Sequence, residues 1–145
     1  MKRLIGIVGL MAVLMCLSAG TLLAESGIPD VKGKWVAKSY THHHEKQGFF
    51  HTAEAGGVWI IKEQQGRFFY GERTYVKKQI TDKKTTEGFS GVFSRDGKRI
   101  YIVDHDEDTL IGEMISDDRI ELVIMNDGDK NDHSRVGLIE INKIK

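Results

Sequence analysis

The sequence predicts an all-β domain built as an eight-stranded antiparallel up-and-down barrel. Three observations lead there. After Gly33 the hydrophobic periodicity is almost everywhere two, no segment shows helical spacing, and turn residues cut the chain into eight runs rich in Val, Ile, Phe and Tyr.

In chain order, the first run is Lys34 to Thr41. It follows Pro29, the single proline, so no predicted strand is interrupted by one. A long connection, His42 to Gly57, leads to Val58 to Gln64, which Gln65-Gly66 turns tightly into Arg67 to Val76. After Lys77 to Thr86 comes Glu87 to Arg95, joined to Lys98 to Asp104 by Asp96-Gly97, the strongest two-residue hairpin signal in the chain. His105 to Asp108 precedes Thr109 to Ser116, which Asp117-Asp118 joins to Arg119 to Asn126; Asp127 to Ser134 then precedes the last run, Arg135 to Ile144. In a meander, connections alternate between the two ends of the sheet. The three tight turns are therefore expected at one end and the four longer connections at the other. Closing eight such strands pairs both edges and removes the hazard of an open sheet. A two-sheet β-sandwich is the alternative. Gly71, Gly91, Gly112 and Gly137, inside predicted strands, read as bends or bulges of a curved sheet.

Ahead of the barrel, Met-Lys-Arg is followed by an apolar run from Leu4 to Leu17 and by Ser18, Ala19, Gly20 and Ala24, the order of a secretory signal. The run is shorter than the roughly 20 residues of a bilayer span. Cleavage after Gly20 or Ala24 is expected, leaving 25–145 as a single domain in the periplasm or outside the cell. Met15 stands where a lipidated Cys16 would want a small residue. Without 1–24 no cysteine remains, which excludes disulfides, cysteine nucleophiles and thiolate metal sites. Losing Lys2 and Arg3 from 21 basic residues leaves 19 against 21 acidic ones, a net charge of −2. With no basic stretch longer than two residues, nucleic acid is not an expected partner. A membrane is expected only through the signal; small molecules, ions or another protein are the expected partners.

Gly33-Lys34-Trp35, opening the first strand of an exported eight-stranded chain, resembles the Gly-x-Trp signature of the calycin superfamily, which covers lipocalins, fatty-acid-binding proteins and avidins. The resemblance implies that Trp35 plugs the closed end beneath a basic side chain near the end of the last strand, Lys143 or Lys145. It also implies a ligand in or above the barrel mouth. It spans most of the chain as architecture, but as sequence only those three residues. No C-terminal helix is predicted, so the chain looks closer to an avidin in size, yet no biotin-site residues match in order and biotin binding does not carry over.

All six histidines fall in or beside the longer connections: His42, His43, His44 and His51 in the first, His105 opening the third and His133 closing the fourth. A meander gathers them at the mouth. Glu45, Glu54, Asp104, Asp106, Glu107, Asp108, Asp127, Asp129 and Asp132 accompany them. Two readings stand. One is a divalent-metal site drawn from His42, His44, His105 and Asp106, since imidazole with carboxylate suits zinc, copper or nickel; the other is that wet loops are simply polar. In an extended strand His42 and His44 converge while His43 points away. Asp127-x-Asp129-x-Asn131 begins like a calcium loop, but Asp132 and Leu138 replace its glycine and glutamate. His105 with Asp104 or Asp106 is a candidate base and orienter. No nucleophile elbow or phosphate-binding glycine loop occurs.

Phe49 and Phe50, adjacent in the longest connection, read as a lid over the mouth, a contact surface or a hydrophobic plug. Tyr40, Trp59, Phe68 with Tyr70 or Phe69, Phe89, Phe93 and Tyr101 are assigned mostly to the core. Three functions are then open. The first is a binding protein with its ligand at the mouth against His42, His44, Phe49, Phe50, His51, His105 and His133. The second is a metal-dependent or acid–base enzyme on the same scaffold, and the third is a protein-binding or inhibitor module.

Overall fold

The computed structural model describes residues 27–53, 57–76, 84–105, 108–128 and 134–145. The predicted signal thus lies outside the described residues. Among the described residues nine strands form one antiparallel sheet: β1 Gly33–His44, β2 Gly48–Thr52, β3 Val58–Gln65, β4 Phe68–Val76, β5 Lys84–Phe93, β6 Arg99–Asp104, β7 Thr109–Ser116, β8 Arg119–Asn126 and β9 Arg135–Lys143. Strands β3 to β9 pair in sequence order, and β1 pairs with both β3 and β9. The β1–β9 seam, from Trp35↔Lys143 to His44↔Arg135, closes an eight-stranded barrel and excludes the sandwich.

Each predicted run is a strand, with ends shifted by at most three residues. The first long connection is not a plain loop, however. β1 continues to His44 and returns as β2, paired from Tyr40↔Thr52 to His44↔Gly48. The physical reason is a tight turn capped from within: His44 Nδ1 accepts from Lys46 N at 3.2 Å and Gln47 N at 3.3 Å, and Gly48 takes the left-handed conformation at φ 75°. β2 occupies the position beside β1 that β3 leaves open, since β3 pairs only with Gly33 to Val36.

The strand glycines are not bulges. Register shifts fall between Ala37 and Ser39, Ile61 and Glu63, and Met114 and Ser116. Gly71 and Gly91 serve instead as sockets for facing rings: Gly71 pairs with Phe89 and Gly91 with Phe69. A Cβ on Gly91 would lie 2.3 Å from the Phe69 ring, and one on Gly71 2.1 Å from the Ile60 carbonyl oxygen. Only glycine lets two large rings interlock across neighbouring strands of so narrow a barrel.

The closed end holds the tight turns. Trp35 is fully buried, its indole Nε1 donating to Val31 O at 2.8 Å. Lys143 supplies the basic cover: its Nζ lies 5.5 Å from the Trp35 ring centroid and donates to Asp30 O at 3.0 Å. Residues 28–31 seal this end, held by Gln64, which accepts from Val31 N at 3.0 Å and donates to Pro29 O at 2.8 Å. Above them the interior is filled by Trp59, Ile61, Phe69, Phe89, Ile102 and Leu122, around a cavity of only about 10 Å³. Each such side chain contributes about 1.5–3 kcal/mol by burial. Phe68, Tyr70 and Tyr101 do not join this core. Alternation turns them outward, with 65%, 49% and 41% of their surface exposed.

Candidate functional site: a buried charged cluster at the barrel mouth

Toward the open end the inward positions change character. On β4 the inner face reads Phe69, Gly71, Arg73, Tyr75; on β5, Phe93, Gly91, Phe89, Glu87; on β6, Ile100, Ile102, Asp104. The same period of two that buries the aromatics therefore buries charges one or two rungs higher. Arg73, Glu87, Asp104 and Asp108 are all at most 9% exposed.

Arg73 is the hub. Its Nε and Nη2 donate to Glu87 Oε2 at 3.2 and 3.0 Å, and Nη2 also donates to Asp104 and, at 2.8 Å, to Asp108. The guanidinium lies 5.6 Å from the Trp59 ring and 5.1 Å from that of Tyr75, so aromatic faces cover what carboxylates do not. Tyr75 donates its phenol proton to Glu87. Asp108 also accepts from Asn126 Nδ2 at 2.7 Å and from Arg135 Nη2 at 3.1 and 3.2 Å. Its own amide donates to Asp104 Oδ1 at 2.8 Å, which fixes the short β6–β7 loop.

The electrostatics follow from these contacts. Burial alone would raise the Asp108 carboxyl, but the hydrogen bonds from Arg73 and Asn126 and the charge of Arg135 carry it below the usual range. Burial raises the Tyr75 phenol, and the Glu87 hydrogen bond raises it further, so it stays neutral. Burial likewise raises the Tyr40 phenol. Formally, among the described residues, three carboxylates face two guanidiniums.

Beside this cluster stands His42, 8% exposed. Its ring stacks on Tyr40 at 4.9 Å and meets Phe50 at 5.1 Å between centroids. Its Nδ1 is buried without a hydrogen-bond partner. Burial, then the charge of Arg135 and the neighbouring His44 and His43, holds the imidazole below its ordinary value, so it is neutral at pH 7.

The other predicted site residues are dispersed. His44 shares the inner side of β1 with His42, but its Nδ1 caps the β1–β2 turn. Phe50 packs on His42, whereas Phe49, 87% exposed, packs on His43 outside at 4.7 Å. His51 bonds Thr41 Oγ1 at 2.7 Å on that outer side. His105 lies outside too, its Nδ1 2.5 Å from where a Cβ on Gly88 would sit, while Asp104 points inward to Arg73. His42 and His105 thus lie on opposite faces of the wall, and His105 and Asp104 point apart. Asp106 and His133 are outside the described residues. Among the described residues, no group of three or more His, Cys, Asp or Glu could hold a metal ion.

Arg73 and Glu87 escaped the sequence reading, which sought chemistry in connections rather than strands. A signal existed: each is a charge on the inward phase of a strand whose inward residues toward the closed end are aromatic or glycine.

Neither a family model nor a curated protein matches the chain. Among solved structures, one described as a redesigned beta barrel is similar, at 10% identity and a TM-score of 0.48, covering 84% of this chain and 96% of that chain.

Proposed function

We propose that this is an exported binding protein of calycin-like form, holding a small polar ligand over the charged floor of the barrel mouth. The observation that carries the reading is His42, buried beside that floor with a ring nitrogen that no described residue satisfies. A buried polar atom left unpaired costs about 1–3 kcal/mol, and a ligand donor would remove that cost.

The floor supports the same reading. Buried ion networks are seldom more stabilising than apolar packing of the same volume, and the lower barrel is filled without them. In the tautomer protonated at Nε2, a neutral His42 offers Nδ1 as an acceptor, and the formal excess of one carboxylate among the described residues favours a neutral or cationic guest. The ligand class is therefore a small molecule with an amine or hydroxyl donor, bound under Phe50. Trp35 sealed beneath Lys143 agrees with the calycin likeness, and the basic, apolar and small-residue order of 1–24 supports secretion or a periplasmic home.

Native mass spectrometry of protein purified from its own host tests this reading. An organic mass retained by the wild type and lost in His42→Phe, with the unfolding midpoint of the ligand-free variant no lower than that of the wild type, is the expected result. Retention that ignores His42→Phe would sink it. An added mass of zinc or copper would turn the same His42 and His44 toward the metal reading.

A further inference from the structure

The outward residues of neighbouring strands also fall into registered rows. One row, crossing six consecutive strands from β9 to β4, is Leu138, Val123, Ile111, Tyr101, Val92 and Phe68. All six are apolar or aromatic, and Leu138, Ile111, Tyr101 and Phe68 are 42%, 38%, 41% and 65% exposed. The row nearer the mouth adds Val136 and Met125 at 49% and 37% and, beyond Thr109, Val103 at 56%. Scattered apolar residues on a surface need no explanation, but a contiguous patch marks an interaction site.

The row on the closed-end side indicates what covers it. Glu140 pairs directly with Glu121, and Glu121 with Glu113. Like charges directly opposite one another destabilise a sheet. Only Glu113 has relief, from Arg99 at 3.6 Å; among the described residues, Glu121 and Glu140 form no ion pair. This face thus carries an apolar strip edged by negative charge set against itself.

We infer that the outer wall over β6 to β9 docks a protein partner that lays apolar side chains on the Leu138–Val123–Ile111–Tyr101 row and sets Lys or Arg against Glu113, Glu121 and Glu140. Charge complementarity selects this occupant. A second copy applied face to face about a twofold axis would bring each glutamate row against its own kind or against the far flank of the strip. Among the described residues, the outward positions of that flank are Ser134, Asp127 and His105 in the adjoining connections, while Arg135, the β9 cation at that end, is engaged by Asp108. An anionic membrane would be repelled by the same glutamates. A bare cation is disfavoured because the trio does not form a metal-holding group.

The test uses the full domain and two synthetic probes, an alternating Leu-Lys peptide and its Leu-Glu counterpart, followed by fluorescence anisotropy at two salt concentrations. The Leu-Lys peptide should bind and the Leu-Glu peptide should not. Binding should weaken at least about tenfold both in Leu138→Ser/Ile111→Ser and in Glu113→Gln/Glu121→Gln/Glu140→Gln, and added salt should weaken it in wild type more than in the glutamine variant. Without peptide, Glu121→Gln should raise the urea midpoint, because it removes repulsion; a purely structural row would lower it. Leu-Lys binding equal in wild type and both variants would overturn the inference. So would a wild-type dimer in sedimentation that Leu138→Ser/Ile111→Ser dissociates, since the face would then belong to a second copy.

Discussion

The two halves of the barrel interior solve the same filling problem in opposite ways. Below, Trp59, Phe69, Phe89, Ile100 and Leu122 close around a cavity of about 10 Å³; above, Arg73, Glu87, Asp104 and Asp108 fill the same width with charge. The backbone cannot be the cause, because β4, β5 and β6 run through both halves. The difference lies in side chains alone, and it separates what stabilises the fold from what is available to act.

The comparison can be tested most heavily at its lower end. Trp35→Ala should cost about 3–5 kcal/mol, as truncations of large buried aromatics do, with the loss read from the urea midpoint. A change below about 1 kcal/mol would mean that the closed end is not where stability resides.

Arg73→Met comes next. It leaves Glu87, Asp104 and Asp108 facing one another without their hub, and breaking a buried charged network costs about 3 kcal/mol or more. Adding Glu87→Gln, Asp104→Asn and Asp108→Asn should recover part of that loss, which truncating the apolar half would not allow. Were Arg73→Met neutral alone, the two halves would not differ in the way described. The acid limb sharpens the point. With its folded-state value below the unfolded one of about 3.9, Asp108 contributes stability that is fully present above the unfolded value and is lost as pH falls through the folded one. Asp108→Asn should flatten that part of a stability-against-pH curve.

Smaller effects are expected from single contacts. Tyr75→Phe removes one hydrogen bond to a carboxylate, worth about 1.5–3 kcal/mol. His42→Phe removes the unpaired buried nitrogen and should raise the stability of the ligand-free protein at pH 7 by about 1–3 kcal/mol while removing a pH dependence. Its folded value is lowered, so the unfolded chain takes up the proton first and stability falls as pH drops below about 6.5. An NMR midpoint for His42 above that value would contradict its burial beside Arg135. Phe49→Ser, at 87% exposure, should shift the midpoint by no more than about 0.5 kcal/mol.

Much of this was legible before any coordinates. The strands, the tight turns at one end and Trp35 as plug beneath a C-terminal lysine follow from alternation, turn chemistry and one three-residue resemblance; that the lysine is Lys143 rather than Lys145 came from the structure. The β1–β2 hairpin was not legible, because three histidines and a glycine dilute the strand signal and the cap from His44 to Lys46 and Gln47 is local geometry. The charged cluster was missed for another reason: nothing in β4 or β5 alone says that Arg73 and Glu87 will meet Asp104 and Asp108, which are 31 and 35 residues from Arg73.

By itself, then, the sequence determined the elements and their inward and outward phases, because a period of two is a property of each strand. Only the tertiary structure decided closure, the meeting of charges from β4, β5, β6 and the β6–β7 loop, and the alignment of Glu140, Glu121 and Glu113 in one row. Those depend on register between strands, which hydrogen bonding across the sheet sets and which no single strand contains.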